Sequence, residues 1–223
     1  MEQLFVGLDL GQAQDYTALA VVERKSVLKP GTRDGIEDYY HVRELSRAPL
    51  GMRYTDIVDE VKALLATPPL TPLTPLIVDQ TGVGRAVLDL FTAAGLEPYG
   101  VTIHGGDNVI RESPRHWKVP KRELAALLVS LYQGRRLHVA EDLAHAATLT
   151  REMAAFRVKI NVATGHDSYE AWREHDHDDL VLAVALGCWY AARRVPDSTI
   201  AVGPPDPRFT YLSSLRPSLS RSY

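Results

Sequence analysis

The sequence predicts an α/β fold in which helices flank a mixed β-sheet. Three short strand-like segments joined by short turns open the chain, and this pattern indicates an antiparallel meander. Helical and strand-like segments then alternate, an order typical of strands that lie parallel in one sheet. In open sheets of this kind, functional sites gather where strand ends meet helix starts.

The strands are predicted from apolar runs bounded by turn residues. These runs are Leu4–Leu10, Thr17–Glu23, Tyr39–Leu45, Leu76–Asp79, Tyr99–His104 and, as a brief strand, Arg136–Val139. Leu76–Asp79 is wholly apolar before its aspartate, as is typical of a central strand buried on both faces. The chain thus has five main strands, of which the first three are expected to be antiparallel.

The helices are predicted from apolar residues at helical spacing. They are Tyr54–Leu65, Arg85–Ala94, Lys121–Gln133, Leu143–Phe156 and Trp172–Arg194, the last as one helix or a pair. Gly95 is expected to end the second helix as its C′ residue, and Pro120 to open the third at its first position. Phe156–Val162 is expected to be extended. Residues 196–223 are rich in proline and serine and predict a flexible C-terminal tail beyond a domain of residues 1–195.

Composition narrows the classes of function. A chain of 223 residues predicts one sizeable core, and a net charge of −3 leaves nucleic-acid contacts to local patches. The single cysteine, Cys188, rules out an internal disulfide framework and fits a reducing compartment. The apolar stretch Leu180–Ala192 is shorter than the ~18 residues that a membrane span needs. We therefore expect a soluble protein of the cytoplasm, which is the host cytoplasm if a virus or prophage encodes the chain.

Aspartates occupy the positions where a site is expected. Asp9 ends the first strand and Asp79 ends the central strand, before a glycine-containing turn. An acidic cluster, Glu174–Asp179, directly precedes the apolar last helix. Each aspartate has a simpler reading as a turn or helix cap, but one cap needs only one side chain. Because the chain has many carboxylates here and a single cysteine, Mg²⁺ or Mn²⁺ is favoured over zinc.

Basic residues cluster between the fifth strand and the third helix, after Gly105 and Gly106. The cluster comprises Arg111, Arg115, Lys118, Lys121 and Arg122. It indicates either a solvated surface or a mobile loop that contacts DNA phosphates.

Four strings, in order along the chain, resemble the nuclease domain of the large terminase subunit of tailed bacteriophages, which has a ribonuclease H-like fold. The strings are Gly7–Gly11 with Asp15 and Thr17, Val78–Gly84, Arg151–Phe156 and His177–Ala185. The resemblance implies a mixed five-stranded sheet with three antiparallel strands first and parallel strands after them.

By the same resemblance Asp9, Asp79 and Asp179 would be catalytic and would hold two Mg²⁺ or Mn²⁺ ions, with Asp9 between them. Asp15 and Asp178 would be auxiliary ligands. His177, judged from its place in the acidic cluster, could equally orient Asp178 or Asp179 or contact the metal itself. The implied substrate is double-stranded concatemeric viral DNA, cut with little sequence preference during packaging. The implied partners are a separate packaging ATPase, a small terminase or a portal protein. Translocation is not implied, since the sequence contains no Gly-x-x-x-x-Gly-Lys-Ser/Thr string.

Three alternatives remain at this stage. The chain could be a junction-resolving or RNA-cutting nuclease of the same fold. Gly7–Gly11 also resembles the first phosphate motif of actin-like ATPases and sugar kinases, although those folds need a longer chain. The third alternative is a non-catalytic docking module of a packaging machine, whose tail would bind a partner such as the portal.

Overall fold

The protein is described here by a computed structural model that covers residues 3–11, 15–29, 31, 35–82, 85–162, 178–194 and 210–211. The strands are β1 Gln3–Asp9, β2 Ala18–Leu28, β3 Ile36–Arg47, β4 Leu76–Asp79, β5 Tyr99–His104, β6 Ile110–Ser113, β7 His116–Pro120, β8 Leu137–Val139 and β9 Thr210–Tyr211. The helices are α1 Tyr54–Leu65, α2 Arg85–Ala93, α3 Lys121–Gln133, α4 Ala146–Val162 and α5 Asp179–Arg193. Within the described residues the strands form one sheet in the order β6-β7-β5-β4-β1-β2-β3-β8-β9.

The centre of this sheet is the predicted ribonuclease H-like arrangement. β1 pairs antiparallel with β2, and β2 pairs antiparallel with β3. β4 lies parallel to β1 on its other side, and β5 lies parallel to β4. The order β3-β2-β1-β4-β5 therefore confirms the predicted mixed sheet, with β1 and β4 at its centre. Both are short, buried strands, as expected for strands covered on two faces.

Four further strands extend the predicted sheet at its two edges. β6 and β7 form an antiparallel hairpin, and β7 lies parallel to β5. The basic segment predicted as a mobile loop or solvated surface is therefore largely a hairpin within the sheet. At the other edge β8 lies parallel to β3, as its brief strand pattern indicated. Of the predicted tail, the structure describes only Thr210 and Tyr211, which pair with β8.

Two other local predictions need correction. Phe156–Val162 is helical rather than extended, because α4 continues unbroken to Val162. Pro120 was predicted to be the first residue of α3. It is instead the N-cap, and it ends β7, so the helix begins one residue later, at Lys121. Its φ of −59° suits the entry to a helix. Proline has no N–H, and at the cap position none is required, because the helix offers no partner for it there. The predicted start of the last helix at Trp172 lies outside the described residues, among which α5 begins at Asp179.

Helices cover both faces of the sheet. α1 and α2 pack on one face, and α3, α4 and α5 pack on the other. α5 lies directly against the central strands and is buried from Asp179 to Ala191. Gly7 permits this close approach, since a Cβ at position 7 would overlap the carbonyl oxygen of Ala183. No described helix is both long and apolar enough to cross a membrane.

Candidate functional site

The carboxyl ends of β1 and β4 place two aspartates side by side. β1 and β4 are parallel neighbours, with Gly7 level with Ile77. Side chains two residues apart in a strand share a face. Asp9 and Asp79 each follow those paired positions by two residues, so both point to the face that α5 covers. Their side chains are almost fully buried, with 9% and 7% of the residue exposed.

The N-terminus of α5 brings the third aspartate to the same place. α5 crosses β1 where Ala183 meets Gly7. Asp179 lies one helical turn before Ala183, and Asp9 lies two residues beyond Gly7. The charge of Asp179 raises the pKa of Asp9, so the two carboxyl groups are near each other. Asp179 is buried, with 6% of the residue exposed. The structure thus brings Asp9, Asp79 and Asp179 together as the sequence predicted.

Burial makes the Asp9 and Asp79 carboxyl groups hard to ionise, and at Asp9 the neighbouring carboxylates add to this effect. The pKa of Asp9 is raised well above its ordinary value, first by burial and then by the charges of Asp79, Asp179 and Asp178. Burial also raises the pKa of Asp79 to about 6, although hydrogen bonds from Thr81 and Asp9 oppose the shift. One of them is the Thr81 N–H, which donates to Oδ1 of Asp79 at 2.7 Å and fixes this carboxylate at the strand end. Asp9 and Asp79 therefore interact directly, and both carboxyl groups keep their protons to higher pH than exposed aspartates do.

Two basic side chains flank the carboxylates. Nζ of Lys121, at the start of α3, lies 3.0 Å from Oδ2 of Asp178, and its charge lowers the pKa of both Asp9 and Asp79. On the other side Nη2 of Arg47 lies 3.2 Å from Oδ2 of Asp179. Arg47 also pairs with Glu152, a carboxylate on α4 whose pKa burial raises to about 7. These two cations offset part of the negative charge that the fold concentrates here.

The donor set suits a hard divalent cation, because it offers carboxylate oxygens from three rigid elements. Within the described residues, however, no three carboxylate, imidazole or thiol groups are arranged to enclose one ion. Asp178 and Asp179 are instead turned toward Lys121 and Arg47. An ion at this site would thus require Asp178 and Asp179 to turn from Lys121 and Arg47, and the carboxyl groups to be ionised. The carboxylates thus have the chemistry that a metal ion needs, but in their present rotamers Asp178 and Asp179 contact Lys121 and Arg47.

The structure describes only one of the two remaining auxiliary residues, Asp15. Asp15 lies beyond the β1 end, in the turn that leads to β2, and its side chain is exposed. The turn is tied to β1 by Gly11, whose N–H donates to the Thr17 hydroxyl at 3.1 Å. His177 lies outside the described residues, and both roles considered for it stay predictions.

The predicted basic cluster divides into two groups. Lys121 belongs to the carboxylate site. Of the other four residues, three lie in the β6–β7 hairpin and Arg122 lies on α3. Arg115 pairs with Glu97, Lys118 with Glu112 and Arg122 with Asp107, and Arg111 donates to backbone carbonyls and lies over Trp117. Each of the three ion pairs reduces the positive charge that a phosphate would meet, so a DNA-binding role for these residues stays a prediction.

Sequence reasoning missed Arg47 and Glu152. Glu152 lies in the string Arg151–Phe156, which supported the resemblance without a role for any of its residues. Arg47 had no signal at all in the sequence. It reaches the site because β3 is longer than predicted and ends level with Ala18, which is itself level with Asp9.

Fold and site together define a ribonuclease H-like protein with a buried acidic site at the carboxyl end of its central strands. Among solved structures, the chain is similar to the large terminase nuclease from thermophilic phage G20c, with 21% identity over 83% of this chain and 81% of that chain and a TM-score of 0.46. The same nuclease with bound zinc gives 21% identity, 83% and 80% coverage and a TM-score of 0.45. The human cytomegalovirus terminase nuclease domain, soaked with Mn, gives 12% identity, 94% and 88% coverage and a TM-score of 0.46.

No family model matches the sequence. No curated protein matches it either. The sheet order and register, rather than these distant likenesses, define the fold.

Proposed function

We propose that the chain is a metal-dependent endodeoxyribonuclease of the terminase type, which hydrolyses phosphodiester bonds with two Mg²⁺ or Mn²⁺ ions. The observation that supports this most is the convergence of Asp9, Asp79 and Asp179 in a buried site that raises the pKa of Asp9 and Asp79. Buried like charges destabilise a fold, and a divalent cation relieves their repulsion. Strongly perturbed carboxyl groups in one cluster are typical of functional sites.

The residues take distinct roles in this proposal. Asp9, Asp79 and Asp179 would hold the ions, and Asp178 and Asp15 would contribute further oxygens directly or through water. Two bound ions would activate the attacking water and stabilise the departing 3′-oxygen. Thr81 holds the Asp79 carboxylate in place through its N–H, so that this ligand is oriented before an ion arrives.

The proposed substrate is double-stranded DNA, held through its phosphates and cut with little sequence preference. Contacts of this kind weaken as salt rises. The packaging role rests on the sequence resemblance alone: the chain would cut concatemeric viral DNA in the host cytoplasm. Its partners there would be a separate packaging ATPase, a small terminase or a portal protein.

Cleavage of supercoiled plasmid with Mg²⁺ or Mn²⁺ tests the proposed activity. We expect nicked and linear products from the wild type, and none from Asp79→Ala or from wild type in EDTA. Asp59→Ala is the matched control, because Asp59 is an exposed aspartate on α1. Equal activity in wild type, Asp79→Ala and EDTA-treated samples would contradict the proposal.

Substrate comparison then separates this nuclease from its relatives of the same fold. Linear duplex, a four-way junction and an RNA–DNA hybrid are offered at equal concentration. Preference for duplex DNA supports the terminase type. A marked preference for the junction or the hybrid would instead indicate a resolvase-like or RNA-cutting enzyme.

A further inference from the structure

Glu152 is a buried carboxylate that the proposed chemistry does not use. It lies on α4, with 7% of the residue exposed, and faces the N-terminus of α5. Its Oε2 accepts the N–H groups of Leu180 at 3.0 Å and Val181 at 3.3 Å. The first N–H groups of a helix have no partner within the helix, and a carboxylate satisfies them well. Asp178, the residue at the N-cap position, makes no such side-chain bond.

The second oxygen of Glu152 holds Arg47. Oε1 accepts a hydrogen bond from Nη2 of Arg47, and the same nitrogen lies 3.2 Å from Oδ2 of Asp179. The guanidinium also lies over the ring of Tyr16, 4.6 Å from its centroid. Arg47 is thus shared between two carboxylates, of which Asp179 is a proposed metal ligand and Glu152 is not.

This sharing has a direct consequence for Asp179. A guanidinium and a divalent cation compete for the same carboxylate oxygens. Because Glu152 also attracts Arg47, it weakens the hold of Arg47 on Asp179. Through Leu180 and Val181, Glu152 also fixes the start of the helix that carries Asp179. Both effects act on the position of a single carboxylate.

We propose that Glu152 is a positioning residue, which acts through Arg47 and the first turn of α5 to hold the Asp179 carboxylate where it can bind a metal ion. This inference rests on the proposed function, because it assigns Asp179 to a metal site. Outer partners of metal ligands commonly change metal affinity about 10–100-fold when they are removed.

The first test needs no metal. Thermal unfolding in EDTA is measured for Glu152→Gln, Asp179→Asn and the double variant, and again for all three in an Arg47→Gln background. Glutamine keeps an acceptor for the α5 N–H groups and loses only the charge. With Arg47 present, we expect the changes in Tm to depart from additivity by about 2 °C or more, because both carboxylates share one guanidinium. Additive changes would overturn the proposal, whether or not the protein binds a metal.

Calorimetry with Mn²⁺ alone gives the second readout. We expect Glu152→Gln to raise the Kd about tenfold, since Arg47 then pairs fully with Asp179. Arg47→Gln should lower the Kd about threefold, because it removes the competing cation. In the Arg47→Gln background, Glu152→Gln should change the Kd less than about twofold.

The controls separate positioning from simple helix capping and from failure of the proposed function. Glu60→Gln, an exposed glutamate on α1, should leave the Kd and Tm unchanged. A purely structural Glu152 would lower Tm and leave the Kd unchanged, or raise the Kd equally in both backgrounds, and either result overturns the proposal. If the wild type binds no Mn²⁺, the proposed function fails. The Tm measurements in EDTA then still decide whether Glu152 positions the Asp179 carboxylate through Arg47.

Discussion

Two parts of the protein differ in how their charged groups are placed: the carboxyl ends of β1 and β4, and the β6–β7 hairpin. At the strand ends Asp9 and Asp79 are buried beside each other, and the pKa of each is raised. In the hairpin, Lys118 and Glu112 form an ion pair at the surface, 2.7 Å apart, and the pKa of Glu112 is lowered. A hairpin of this kind is what folding alone favours. The buried cluster costs stability, and a fold keeps such a cluster where another function requires it.

The largest expected effect comes from removing the central carboxylate. Asp9→Asn keeps the shape of the side chain and loses its charge, so the site can no longer hold its ions as proposed. We expect plasmid cleavage to fall at least ~100-fold, beyond the range usual for outer partners of a metal site. Glu112→Gln in the hairpin should leave the rate within about threefold of wild type. Similar losses in both variants would erase the contrast between the two regions.

We predict that, without metal, the protein becomes more stable when Asp79 is replaced by asparagine. The pKa of Asp79 rises from its ordinary value of 3.8 to about 6, so between these values the folded state binds more protons than the unfolded state. Stability is therefore lost as pH rises through about 6. Asparagine is neutral at every pH and can still accept the Thr81 N–H.

We accordingly expect Asp79→Asn to be more stable than wild type by about 2 kcal/mol at pH 8 in EDTA, with the difference vanishing toward pH 4. Denaturant unfolding at pH 4, 6 and 8 measures it. A stability difference between Asp79→Asn and wild type that does not change with pH would show that the ionisation of Asp79 is not its cause.

Lys121 should matter for stability where Lys118 does not. The Lys121 side chain is 19% exposed and its charge opposes the repulsion between Asp9 and Asp79. Lys121→Met should therefore destabilise the metal-free protein by about 1 kcal/mol at pH 8. Lys118 is 45% exposed, and Lys118→Met should change stability by less than about 0.5 kcal/mol. Equal effects in chemical unfolding would mean that the two cations serve the same structural purpose.

The smallest effect is expected in DNA binding by Arg122, which lies on the first turn of α3 just after the β6–β7 hairpin. Each phosphate contact contributes about 0.9 to the slope of log K against log salt. Because Asp107 already neutralises Arg122, we expect Arg122→Ala to reduce that slope by at most about 1 and to weaken binding less than about threefold. Fluorescence anisotropy with a duplex at several salt concentrations measures both. A larger loss would show that phosphates displace Asp107 and would support a DNA-binding role for Arg122.

The sequence predicted the acidic residues better than their surroundings. Asp9 and Asp79 could be found because each closes an apolar strand, a local pattern that needs no knowledge of the sheet. Arg47 could not be found, since its place depends on pairing across two other strands and on the exact length of β3. The hairpin was missed because its strands are short and charged, so that neither alternation nor apolarity marked them. The roles of the aspartates stay predictions, although their convergence is observed.

Gly7 fixes how closely the backbones of β1 and α5 approach each other beside the site. A helix and a strand usually keep a layer of side chains between them, and that layer can yield when a neighbour changes. At Gly7 the backbone of β1 meets the backbone of α5 with nothing in between. The spacing of the β1 and α5 backbones beside Asp9 and Asp179 is thus set by direct contact, while Arg47 and Glu152 act on the Asp179 side chain and on the first turn of its helix. The backbone spacing beneath these two aspartates is therefore a property of the fold itself, and substitutions among the side chains of the site can change its charge more readily than this spacing.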